Sequence, residues 1–131
     1  MIVLDTHAWV WWVSNPKSLS HRARRAVNMA AENNAVLISS ISAWEVALLV
    51  AKNRLRLTMD VTDWIAKSEG LPFVNFIPVD NAIAIKSVAL PEPLHNDPAD
   101  RIIIATAIVM GAPVVTKDER IINYPHVNTI S

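Results

Sequence analysis

The 131 residues include no cysteine, which rules out disulfides, a thiolate zinc centre and a cysteine nucleophile, and suits a reducing compartment. Glycine occurs only at Gly70 and Gly111, so neither a phosphate-cradling P-loop nor a GxGxxG dinucleotide loop can be written anywhere. No sign of charge dominates. Twelve basic and twelve acidic residues give a formal net charge of zero, and any contact with nucleic acid must therefore be local. No apolar run approaches the ~20 residues that span a bilayer. The stretch "MIVLDTHAWVWWV" has no basic segment of the kind that begins an export signal. A cytoplasmic protein with no membrane partner is expected. His7, His21, His95 and His126 show no zinc-ligand spacing such as HExxH, which leaves oxygen as the expected ligand type for a metal.

What the chain does have is a 52% hydrophobic content, enough for a real core in one domain covering residues 1–131. Short apolar runs recur at "MIVLD", "AVLIS" (35–39), "FVNFIPV" (73–79), "PVVTKD" (113–118) and "VNTI" (127–130), and they read as buried strands. Helical segments lie between them, headed by Ser20, Ser42, Asp60 and Asp80. Strands that alternate with helices imply parallel crossovers. The expected fold is α/β, a three-layer α/β/α sandwich on a mostly parallel sheet, with sites at the carboxyl ends of the strands. "PADRIIIATAIVM" reads as a buried helix over residues 98–110: Pro98 suits the first helical position, Asp97 the N-cap and Gly111 the stop. "AWVWWV" follows the first strand and is apolar all round. Part of it is core, but its three tryptophans exceed one buried stripe, and a protein interface is expected there.

On this layout Asp5 closes the first strand, Glu45 lies in the first turn of the helix headed by Ser42, Asp100 in the first turn of the buried helix, and Asp118 closes the fourth strand. All four face one edge. Singly, each acid has a bland explanation, Glu45 as the partner in a "SAWE" capping box among them. Together they do not: two carboxylates ~4 Å apart repel by about 4 kcal/mol at an effective dielectric near 20. A proton, an arginine or a divalent cation relieves such repulsion, and an all-oxygen set suits Mg²⁺ or Mn²⁺. Ions of that kind bind phosphate oxygens and lower the pKa of an attacking water, which points to phosphodiester hydrolysis.

The ordered set "VLDTHAWVWW", "SAWEV", "DPADRIIIATA" and "VVTKDERI" resembles the PIN domain, and specifically the VapC-type toxins of toxin–antitoxin pairs, over nearly the whole chain. The resemblance implies a Mg²⁺-dependent endoribonuclease, with Mn²⁺ able to substitute. It also implies an RNA substrate, a homodimer and neutralisation by a VapB-type antitoxin. Residue by residue it places the acidic site on Asp5, Glu45, Asp100 and Asp118, with Asp5, Asp100 and Asp118 as metal ligands and Thr116 as a supporting hydroxyl. Asp97 matches an additional acid found in a subset of the family.

Beside these, His7 is left outside the catalytic set as a structural residue at a helix start, and Lys117 reads as a solvated side chain. Arg101 is expected to reach the scissile phosphate or a neighbouring carboxylate. The basic clusters "HRARR" (21–25) and "KNRLR" (52–56) are candidates for guiding RNA through phosphate contact. Two alternatives stay open. One is a phosphoacceptor receiver-like domain with Asp80 as acceptor; the other is an inactive interaction module whose acids are relics.

Overall fold

Every strand in the computed structural model, which describes residues 1–131, runs parallel to its neighbours. The chain order is β1 (Ile2–Leu4), α1 (Thr6–Ser14), α2 (His21–Glu32), β2 (Val36–Ser39), α3 (Ser40–Ala51), α4 (Val61–Glu69), β3 (Val74–Ile77), α5 (Asn81–Val88), α6 (Pro98–Met110), β4 (Val114–Val115), α7 (Glu119–Ile122) and β5 (Thr129–Ile130). The sheet order is β3-β2-β1-β4-β5. β1 is therefore central, paired with β2 through Ile2–Val36 and with β4 through Val3–Val114. The order reverses at β1 and β4, and that switch point opens a crevice at the strands' carboxyl ends.

Alternation along the strands makes the layers. Ile2, Leu4, Val36 and Ile38 face a core that includes Trp9, Val27 and Trp64, from α1, α2 and α4. Val3, Leu37 and Val114 face the opposite way, onto Ile103 and Ala107 of α6. A third cluster joins Ile104 on the far side of α6 to Leu90, Ile121 and Tyr124. This buries α6 on two sides, as its apolar circumference requires. Trp9 is fully buried, its ring 4.7 Å from Trp64 and 5.5 Å from Phe76, and its indole N–H donates to Ser68 Oγ at 3.1 Å. Trp11 and Trp12 are only partly buried.

The helix starts at Ser20, Asp60, Asp80 and Asp97 agree with the sequence reading, each side chain accepting from an N–H two or three residues on. Gly111 ends α6 in the left-handed region at φ 67°, where glycine carries no Cβ penalty. The start at Ser42 does not agree. α3 begins at Ser40, capped by Ser39, whose Oγ accepts from Ile41 N at 3.2 Å. Ser42 is instead buried inside the helix, so there is no capping box and Glu45 lies in the second turn. Asp118 does not close a strand either. β4 stops at Val115, and Asp118 caps α7, a helix the sequence reading did not anticipate.

Candidate active site

Three helices begin at the crevice, and each supplies an acid to it. The Asp5 carboxylate accepts from Ala8 N at 2.8 Å at the start of α1, Asp97 from Asp100 N at 2.9 Å at the start of α6, and Asp118 from Arg120 N at 2.9 Å at the start of α7. N-terminal N–H groups offset negative charge, so part of the repulsion expected among these acids is answered by the fold itself. Asp100 stands in the first turn of α6. Glu45 comes across from α3, tied to Thr6 Oγ1, which also lies 2.9 Å from Ser42 Oγ. Asp5, Glu45, Asp97, Asp100 and Asp118 all line one open cleft of about 520 Å³. Thr116 does not line it. It is buried behind, where its Oγ1 accepts from Asp118 N at 3.0 Å.

The electrostatics divide the acids. Burial pushes the Asp5 carboxyl up to about 6, against the opposing pull of the Thr116 hydroxyl and the Ala8 N–H. Burial also raises Glu45, countered by the hydrogen bond from Thr6, and raises Asp100, countered by His95. Asp118 is held low by its hydrogen bond from Arg120. That guanidinium forks onto both Asp118 oxygens, Nε to Oδ1 at 3.2 Å and Nη2 to Oδ2 at 2.9 Å, and reaches within 3.6 Å of Asp100 Oδ2. Raised carboxyls beside one held down by a cation mark a place that demands positive charge.

The sequence reading missed two groups. Arg120 is one, although its spacing two residues past Asp118 was a usable signal. The other is His95, whose Nε2 lies 2.7 Å from Asp100 Oδ2. The tightest set of potential ligand atoms, all within 4.8 Å of one another, belongs to His95, Asp100 and Asp118. An imidazole thus stands beside the carboxylate oxygens, and Asp5 faces the same cleft outside that set. The donor chemistry fits a hard divalent cation: a buried carboxylate, a half-buried pair brought close, and an exposed arginine supplying charge meanwhile.

Arg101 meets the second of its two expected partners, a carboxylate, but one outside the cleft. It turns away from the cleft, with Nε donating to Ser87 O at 3.0 Å and Nη2 pairing with Glu92 at 3.3 Å. Lys117 is exposed but does line the cleft, its ammonium bonded to Ser18 O and 5.3 Å above the Trp11 ring. His7 also borders the cleft. Of the two basic clusters only Arg54 reaches it. Asp80 caps α5 and is not among the lining residues, which removes the acceptor of a receiver-like site.

A parallel α/β sheet that gathers carboxylates in a cleft at its switch point defines the class of protein. The chain belongs to the PIN domain family, whose model matches residues 2–127. It is 36% identical over 126 residues to Ribonuclease VapC22 of Mycobacterium tuberculosis, covering 95% of this chain and 92% of that protein. Among solved structures it resembles VapBC2 from Rickettsia felis bound to a promoter DNA fragment, with a TM-score of 0.73 at 19% identity over 99% of this chain and 98% of that one. It also resembles a toxin–antitoxin complex from Klebsiella pneumoniae, with a TM-score of 0.65 at 21% identity over 100% and 97% of the respective chains. At these identities the two structures speak for the fold. No helix is long and apolar enough to cross a membrane.

Proposed function

We propose that the protein is a metal-dependent endoribonuclease, the toxin of a VapBC-type toxin–antitoxin pair, with Mg²⁺ as its ion and Mn²⁺ as a substitute. The observation that carries the reading is the convergence of Asp5, Glu45, Asp100 and Asp118 on one cleft at the sheet's switch point. The 36% identity to a ribonuclease over 95% of the chain supports the reaction class. Asp5, Asp100 and Asp118 would hold the cation, and Asp97, which lines the same cleft, would act on it through water. When bound, the ion supplies charge to the phosphoryl oxygens and makes a bound water more acidic.

The protein's own groups do the remaining work. Glu45 keeps one oxygen on Thr6 and takes the proton of the attacking water on the other, while a P–O bond forms to that water and the P–O ester bond breaks, its electron pair leaving on the ester oxygen, which takes a proton from solvent. Thr116 braces Asp118 through its backbone and Asp5 through its hydroxyl. Arg120 forks onto Asp118, and with a cation on that carboxylate its exposed side chain would be free to meet substrate phosphate. Lys117, Arg54 and His7 form a basic rim around the acidic floor, which positions RNA without reading its bases.

An antitoxin would neutralise this cleft by presenting a basic side chain to the acids and apolar ones to the partly buried Trp11 and Trp12. Purified protein incubated with single-stranded RNA should cleave it in Mg²⁺ or Mn²⁺ and stop in EDTA. Cleavage that survives chelation and metal-free repurification would overturn the mechanism.

A further inference from the structure

We propose that His95 is the positioning residue for Asp100, donating from Nε2–H to Oδ2 and so fixing the orientation in which the carboxylate would meet the cation. The inference rests on the metal-dependent reading above and goes on to assign a residue that the acidic set leaves out. Nothing about its spacing announced it, because His95 belongs to the loop ahead of α6 and meets Asp100 only through the fold.

Four observations carry it. The imidazole is enclosed, its side chain 16% exposed, against a carboxylate that is 14% exposed. A contact of 2.7 Å is the length of a charge-assisted hydrogen bond. An ionised carboxylate can only accept, so the hydrogen of this bond sits on the imidazole. The loop is also held in place for the purpose. Arg101, the next residue after Asp100, donates from Nη1 to the carbonyls of Leu94 and His95 at 3.4 and 3.3 Å. One turn of α6 therefore fixes both the carboxylate and the backbone that returns the imidazole to it, which accounts for Arg101 facing away from the cleft.

The fourth observation separates positioning from direct ligation. His95 Nδ1 is buried and has no hydrogen-bond partner. A histidine that binds a metal through one ring nitrogen ordinarily donates the other N–H to a carbonyl or carboxylate. If Nε2 took the cation here, the hydrogen would move to Nδ1 and be buried without an acceptor, a full desolvation penalty. With the hydrogen on Nε2 that donor is satisfied, and only a bare lone pair is left unpaired. Oδ2 is then occupied by His95, and the carboxylate cannot rotate freely about its Cβ–Cγ bond.

The test titrates Mn²⁺ alone, without RNA, into the purified full chain by calorimetry, alongside melting curves in EDTA. His95→Ala and the volume-matched His95→Leu should weaken Mn²⁺ binding by about ten- to a hundredfold, as loss of an outer-shell partner does. His95→Gln, whose amide carries an N–H near the Nε2 position, should keep most of the affinity, and cleavage should follow the same order. If the alanine variant does not fold in EDTA, the leucine variant supplies the same comparison. Leucine and alanine variants that bind Mn²⁺ like the parent would overturn the assignment. So would a glutamine variant as weak as leucine, since the imidazole itself would then be the ligand. A parent that binds no Mn²⁺ would overturn the metal reading, and this inference with it.

Discussion

Replacing Asp5 by asparagine should make the metal-free protein more stable at neutral pH while destroying its response to metal. Asparagine caps a helix about as well as aspartate, so the 2.8 Å bond from Ala8 N has an acceptor in either case. What changes is the charge. Burial raises the Asp5 carboxyl from an ordinary 3.8 to about 6, which means that between those two values the native protein holds a proton that the unfolded chain has released. Stability contributed by this group is therefore present below pH ~4 and falls as pH rises to ~6, above which the loss is complete. At about 1.36 kcal/mol per pH unit the deficit is about 3 kcal/mol. An asparagine side chain resembles the protonated acid and escapes that deficit. In EDTA at pH 7.5, Asp5→Asn should therefore melt higher than the parent, by about 10 °C if the whole 3 kcal/mol is recovered. The gap should close toward pH 4. Glu45 and Asp100 are raised in the same direction and Asp118 is lowered, so the difference between the two proteins isolates Asp5. Adding Mn²⁺ should raise the parent's melting temperature and leave the variant's where it was. A variant that is less stable than the parent at pH 7.5, or a gap independent of pH from 4 to 7.5, would refute the reasoning.

The two aspartates that flank Pro98 should separate by role. Asp100→Asn is expected to abolish RNA cleavage with an unchanged circular dichroism spectrum, and Asp97→Asn to keep most of it, because the proposed ligand set excludes Asp97 and asparagine still accepts the Asp100 N–H. Asp97→Ala should cost about 1 kcal/mol in urea denaturation through loss of the cap; equal inactivity of folded Asp97→Asn and Asp100→Asn would move Asp97 into the metal site. Trp9→Ala, at a fully buried position between Trp64 and Phe76, should cost about 3–5 kcal/mol by the same measurement, and a loss under about 1 kcal/mol would contradict that packing.

The parts legible in the sequence were those settled over a few residues. Ser20, Asp60, Asp80 and Asp97 cap helices through bonds to N–H groups two or three positions on, and such contacts need nothing distant. The alternation of Ile2 and Leu4 against Val3 likewise announced a strand covered on both faces, since side chains on a strand point to opposite sides in turn. Strand order and acid order together then brought Asp5, Glu45, Asp100 and Asp118 to one edge from the sequence alone. Tertiary structure decided the rest. Ser39 and Ser42 both head plausible helices; Ser39 is the cap, and Ser42 lies inside the helix beside Thr6, thirty-six residues away. Asp118 looked like a strand end, yet β4 pairs only as far as Val115 opposite Leu4 and Ile130, so the chain was free to turn into α7. Arg101 and Arg120 are chemically alike. One is spent on the carbonyls of the loop before α6 and the other on the carboxylates, and their spacing cannot say which, because a guanidinium goes where acceptors from other segments have already been folded into reach. His95 is the same case: its value lies in a 2.7 Å contact made when a loop closes on a helix, and that closure is a property of the packed chain.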